Sequence, residues 1–146
     1  MGVHISKELR RFNYLLGETD GVYHEMAVRM GLSDSVMKIL YSLCGEDEPC
    51  PLQTVIRQSG TSKQTINSAL RRLEGEGIVR LEPGRGRGKN VRLTEKGWAL
   101  AERTVIPLMK LEDEIYSSWS REDVRKNLEL AERFLTALRE KTKQTE

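Results

Sequence analysis

Apolar residues recur at helical spacing along most of the chain and give way once, near the middle, to two short alternating stretches. From Met1 to about Met30 they fall at Ile5, Leu9, Phe12, Leu15, Leu16, Val22, Tyr23, Met26 and Met30. This predicts a long helix that the Gly17 to Gly21 segment kinks or loosens. Ser33 suits an N-cap, with Asp34 in the first turn of a helix burying Val36, Ile39, Leu40 and Leu43. Gly45-Glu46-Asp47-Glu48-Pro49 reads as a turn. Pro51 fits the first position of a short helix carrying Leu52, Val55 and Ile56 and ending at Gly60. Ser62 then caps a helix with Ile66, Ala69, Leu70 and Leu73 inward and Lys63, Gln64, Asn67, Ser68 and Arg71 outward.

Gly75 and Gly77 break the helical period. Ile78 to Glu82 alternates as a strand, with Val79 and Leu81 on one face. Lys89 to Leu93 reads as its partner, with Val91 and Leu93 inward and Asn90 and Arg92 outward. Pro83-Gly84-Arg85-Gly86-Arg87-Gly88 between them is a flexible basic turn. Thr94 caps a long helix bearing Trp98, Ala101, Val105, Leu108, Met109, Leu111, Ile115 and Trp119, which Pro107 should kink. Ser120, with Asp123 three residues on, opens a last helix. Its apolar positions Val124, Leu128, Ala131, Leu135 and Leu138 alternate steps of four and three, the spacing of a helix–helix seam. Lys141 to Glu146 is polar, and fraying is expected there.

Composition narrows the class. Aromatics make up only 5% of the 146 residues, so the core must be aliphatic. No apolar run approaches the roughly 18 residues of a membrane span. Lys7, Arg10 and Arg11 interrupt what would be a secretory leader, and a cytoplasmic location is expected. Met1-Gly2 with Ser6 formally matches an acylation pattern, but the match is short and common by chance. A basic amphipathic start has a plainer use in a partner interface.

The net charge of +2 conceals a division. Residues 51–103 hold 11 of the 24 Lys+Arg but only 5 of the 22 Asp+Glu, a local +6, which leaves the rest of the chain at −4. Concentrated positive charge is what a nucleic-acid face requires. Two cysteines, Cys44 and Cys50, are too few for a disulfide framework, and His4 and His24 do not complete a zinc pattern. No cofactor or metal is implied. The plain expectation is two reduced thiols; the alternative is redox sensing, with Cys50 exposed in a Pro-flanked loop. No nucleophile–base pair or carboxylate pair suggests an enzyme.

Two helices joined by a Gly-containing turn, the second polar on its outer side, form a helix-turn-helix signature. The basic hairpin after them makes the arrangement a winged helix. The run SKQTINSALRRLEGEGIVRLEPGRGRGKNVRLTEKG resembles the recognition helix, wing and following helix start of MarR-type transcriptional regulators. Leu93 to Gly97 (LTEKG) and Arg71 to Val79 (RRLEGEGIV) are the nearest matches. The layout fits essentially the whole chain. The expected fold is mainly α with a small β-hairpin, a winged helix-turn-helix at residues 32–97 between dimerisation helices at 1–31 and 98–146.

The resemblance implies a homodimer on double-stranded DNA, with Ile5, Leu9, Phe12, Leu128, Leu135 and Leu138 in the pairing helices. It implies a repressor on an inverted-repeat operator, released by a small aromatic or phenolic effector. No motif places the effector's pocket. One departure stands out: the family's wing usually carries an Asp shortly before an Arg, and Gly84 to Gly88 has no acid. Either this wing orders only on DNA or its contacts are arranged differently.

On this reading Gln64 and Asn67 suit adenine in the major groove, and Arg71 suits guanine or phosphate. Lys63 lies on the same outward face. Ser62, Thr65 and Ser68 fit backbone contacts near the helix N-terminus. Arg85 and Arg87 fit a narrow minor groove, and Lys89 and Arg92 fit phosphate. Any one of these alone is an ordinary solvated side chain; the set is what argues for DNA. The alternative is a winged helix used for protein–protein contact without sequence-specific DNA binding.

Overall fold

A computed structural model describes residues 2–145. Met1, where the acylation pattern begins, and Glu146, at the end of the polar tail, lie outside the described residues. The order of elements is α1 (Lys7–Met30), α2 (Asp34–Gly45), β1 (Cys50–Pro51), α3 (Leu52–Ser59), α4 (Lys63–Gly75), β2 (Val79–Pro83), β3 (Lys89–Leu93), α5 (Glu95–Arg103), α6 (Val105–Ser118) and α7 (Arg121–Lys143). The chain divides into two compact units, one up to Pro107 and one from Leu108.

Side-chain oxygens start the helices where the sequence predicts. Ser33, Ser62, Thr94 and Ser120 each accept from a backbone N–H three residues on, one of the donors a first turn leaves without a partner. Ser6 does the same for α1, so its hydroxyl serves the fold. Gly17 and Gly21 do not interrupt α1, which runs unbroken over 24 residues and ends at Gly31 in the left-handed region. Each glycine costs about 1 kcal/mol of helix propensity, too little to break so long a run.

At the other end the outcome exceeds the kink expected of Pro107. The helix breaks at Thr104, and Pro107 occupies the first turn of α6. Its ring crowds the carbonyl four residues earlier, on Arg103, whereas its missing N–H is harmless in a first turn. The last helix continues through Lys143, past the expected onset of fraying at Lys141.

The core of the first unit lies where α2 packs on α3 and α4 against the sheet. Ile39, Leu40, Val55, Ile66, Leu70 and Val91 are among its most enclosed large side chains. The sheet is antiparallel in the order β1-β3-β2. Its third strand was not expected: Cys50 pairs with Val91 and Pro51 with Asn90, and the helix begins one residue after Pro51.

The hairpin returns to the helices through one tight joint. Thr94 donates its N–H to the Ile78 carbonyl at 3.1 Å and its hydroxyl to the Gly77 carbonyl. Gly97 then passes so close that a Cβ there would lie 2.1 Å from the Ile78 oxygen. Gly97→Ala is therefore expected to cost about 1–3 kcal/mol or more in urea unfolding. Gly75→Ala, at a helical position with open space around it, is the control, expected neutral or stabilising by up to about 1 kcal/mol.

Candidate nucleic-acid interface

With Ile66, Leu70 and Leu73 in the core, α4 must turn Lys63, Gln64, Ser68 and Arg71 to solvent. Asn67 is half-buried beside them. Across from this face stands the wing. Its turn closes with the Gly84 N–H donating to the Gly88 carbonyl at 2.9 Å and the Gly88 N–H to the Arg85 carbonyl at 2.8 Å. Gly86 has φ +58°, a left-handed value that disfavours side chains, and a Cβ on Gly88 would meet the Arg85 oxygen at 3.0 Å. The glycines thus shape a defined turn, and Arg85 and Arg87 are left exposed on it.

Between α4 and the wing runs a cleft of about 1270 Å³. Lys63, Asn67, Arg71, Arg85, Arg87 and Lys89 line it together, over an apolar floor that includes Leu52, Ile56, Leu70 and Leu81. Gln64 and Ser68 join Lys63, Asn67 and Arg71 around a second, shallower groove of about 440 Å³. Ser62 and Thr65 line neither. The Ser62 hydroxyl accepts from the Thr65 N–H at 3.2 Å and donates to the Thr65 hydroxyl at 2.8 Å, so the cap occupies it. Sequence reasoning missed Arg57, which comes with Gln53 from α3 to the same cleft, and Asn90, which comes from β3. Arg57 shows no outward stripe of its own; only the crossing of α3 and α4 makes it part of the face.

Pairing separates the arginines into two groups. Arg72 meets Glu76 at 3.0 Å, Arg80 lies 3.9 Å from Glu82, and Arg92 reaches both Glu82 and Glu48. Among the described residues, none of the cleft cations Arg57, Lys63, Arg71, Arg85, Arg87 and Lys89 enters an ion pair. Arg92, expected at phosphate, is occupied instead by two carboxylates. Hydrogen bonding to Glu82 and the charges of Glu82 and Glu48 push its pKa up, outweighing the opposing effect of partial desolvation. Carboxylates missing from the wing turn itself thus stand at the root of the hairpin, paired with Arg92.

Comparison with solved structures follows this geometry. A MarR family regulator from Neisseria meningitidis is similar at 19% identity and TM-score 0.75, covering 94% of this chain and 96% of its own. MepR from S. aureus, solved as a DNA complex, is similar at 17% identity and TM-score 0.65, covering 92% and 99%. PcaV from Streptomyces coelicolor, a transcriptional regulator solved with its natural ligand, is similar at 17% identity and TM-score 0.61, covering 93% and 99%.

The chain has the MarR-type winged-helix fold.

No protein-family model and no curated protein sequence matches it. In this MarR-type fold the helices expected to pair leave wide apolar faces open. Ile5, Leu9 and Phe12 are exposed before and along α1, as are Leu128, Leu135 and Leu138 on α7. Leu130 and Phe134 widen the α7 face beyond the seam read from its spacing. A wider arc suits packing against more than one neighbouring helix. Among the described residues, no helix is long and apolar enough to cross a membrane.

The thiols are not where redox sensing would want them. Cys50 is buried in β1, not exposed in a loop, and Cys44 is half-buried in α2. Burial pushes the Cys44 thiol from 9.0 up to about 11. Burial, and then the Glu46 charge, raise Cys50 as well. Thiolate is the reactive form, so both sites oppose oxidation. The native protein should react with a thiol-specific disulfide reagent at pH 8 roughly 100-fold more slowly at Cys44 than the urea-unfolded chain does, as a two-unit pKa rise requires. Peptide mapping after timed labelling checks this.

Proposed function

We propose that this protein is a sequence-specific DNA-binding transcription regulator that acts as a homodimer on an inverted repeat, most simply as a repressor. The observation that carries the proposal is the partition of charge. Six cations, none in an ion pair among the described residues, line one cleft between α4 and the wing, while the arginines of the paired group hold the fold. Unpaired Lys and Arg can displace condensed counterions from a phosphate backbone; paired ones largely cannot. In this pose α4 enters a major groove with Gln64, Asn67 and Arg71 toward base edges, and Arg85 and Arg87 reach the flanking minor groove. The likeness to MepR, solved on DNA, supports the same use of the fold. The likeness to NadR, solved with 4-hydroxyphenylacetate and similar at 18% identity and TM-score 0.66, supports release by a small aromatic effector.

Selection of bound sequences from a random duplex pool tests the reading. An inverted repeat with half-sites about one helical turn apart is expected. Affinity should fall by roughly three to five decades between about 50 and 200 mM salt if 6–10 phosphates are contacted. A flat salt response and no enriched sequence would favour a protein–protein module. Gln64→Ala or Arg71→Ala should relax base preference, with about 1–3 kcal/mol of discrimination lost at Gln64. Arg85→Ala with Arg87→Ala should weaken binding to all sequences and flatten the salt slope.

Pairing through α1 and α7 has its own check. Leu135→Asp places a charge in the α7 face and should shift the protein to monomers in sedimentation velocity. An unchanged dimer would move the interface elsewhere.

A further inference from the structure

Beyond the joint at Thr94 and Gly97, the hairpin's backbone connection to the rest of the fold is slight. Among the described residues its only strand partner outside itself is β1, two residues long, and one of those is Pro51, which has no N–H to donate. Everything beyond the Pro51–Asn90 pair, including Arg85 and Arg87, is a cantilever. Side chains at its root therefore decide where it points.

On the outer face of the sheet, Arg80 sits directly opposite Arg92, a like-charge pair that is unfavourable by itself. Glu82 stands diagonally between them and accepts from Arg92 Nε at 2.7 Å. The same guanidinium turns Nη1 to Glu48, at 3.3 Å, from the loop before β1. One rigid fork thus grips two elements 34 residues apart in the chain, as the positions of Glu48 and Glu82 show. The loop it grips is anchored in turn. Gln58 of α3 donates to Glu46 and accepts from Ser42 of α2 at 2.5 Å. Polar contacts therefore hold the 46–48 loop at both ends, to α2 and α3 through Glu46 and to β3 and β2 through Glu48.

We propose that Arg92 is a positioning residue for the wing: its simultaneous hold on Glu82 and Glu48 sets the angle at which Arg85 and Arg87 meet DNA beside α4. This rests on the DNA-reading proposal above. Arg92 is 30% exposed and engaged on both arms, so its part is to aim other cations rather than to touch phosphate itself. A lysine keeps the charge but has no fork to share between two carboxylates.

The test uses the full chain and a duplex recovered from the random pool. Hydroxyl-radical footprinting and salt titration are run on wild type, Arg92→Lys and Glu48→Gln, each with and without Arg85→Ala/Arg87→Ala. Arg92→Lys should lose the minor-groove protection and drop the salt slope by about two, the share of two phosphate-directed arginines, while the base preference of α4 stays the same. In that background the Arg85→Ala/Arg87→Ala pair should cost less than about twofold, because the arginines are already misplaced. Glu48→Gln, which leaves the sheet and core untouched, should shift the footprint in the same direction and guards against a misfolded Arg92→Lys.

Arg92→Lys with wild-type protection, an additive cycle, or tighter binding with full protection in Glu48→Gln would overturn the role, the last two pointing to direct contact or none. A wild-type chain without salt-dependent duplex binding would overturn the DNA-reading proposal and this one with it. A binding wild type with an intact Arg92→Lys footprint overturns only this one.

Discussion

The tightest setting of any described glycine is that of Gly97 against the Ile78 carbonyl, where no side-chain carbon fits. The chain passes this point twice, entering β2 after α4 and entering α5 after β3. Thr94 fastens the two passes, donating to Gly77 and Ile78 while capping Gly97. Lys96 adds a bond to the Glu76 carbonyl at 2.9 Å. Because both roots of the hairpin meet at the end of α4, that helix and the wing share one fixed origin. The core residues Ile78, Val79, Leu93 and Ala101 around this origin are all buried, so the joint cannot drift without opening the core.

From that origin the side chains divide by what they are given to do. Arginines at Arg72, Arg80 and Arg92 are matched with carboxylates and maintain the geometry. Those lining the cleft are left unmatched, which is a poor use of charge for stability, since surface ion pairs add at most about 1 kcal/mol but unpaired like charges repel. A fold that keeps several such cations around one concavity keeps electrostatic work in reserve for an anionic partner.

Much of this was legible in the sequence because its causes are local. A cap is an oxygen three residues from an orphan N–H, and Ser33, Ser62, Thr94 and Ser120 announce themselves that way. The faces of α4 follow from Ile66, Leu70 and Leu73 alone. What could not be read depends on partners remote along the chain. The two residues of β1 look like the approach to a helix, since only Val91 and Asn90, some 40 positions later, make them a strand. Cys50 is buried for the same reason. Arg92 carries a phosphate-ready side chain in every local respect, and its true partners lie 10 and 44 residues away. At Gly17 and Pro107 the local rule was sound but its weight was not: the length of α1 absorbs the glycine, and the proline ends one helix outright.

The long helices α1 and α7 carry a different implication. Of the 24 residues of α1 only Ala27 is buried, and none of the 23 in α7 is. Helices of that kind draw little stability from the chain they belong to, so whatever covers them contributes to holding them. In the proposed homodimer the covering surface is a second copy, so their order would obey mass action and rise with concentration. Abundance, as much as sequence, would then set how much of the polypeptide is in working shape, and dilution would act as a form of denaturation.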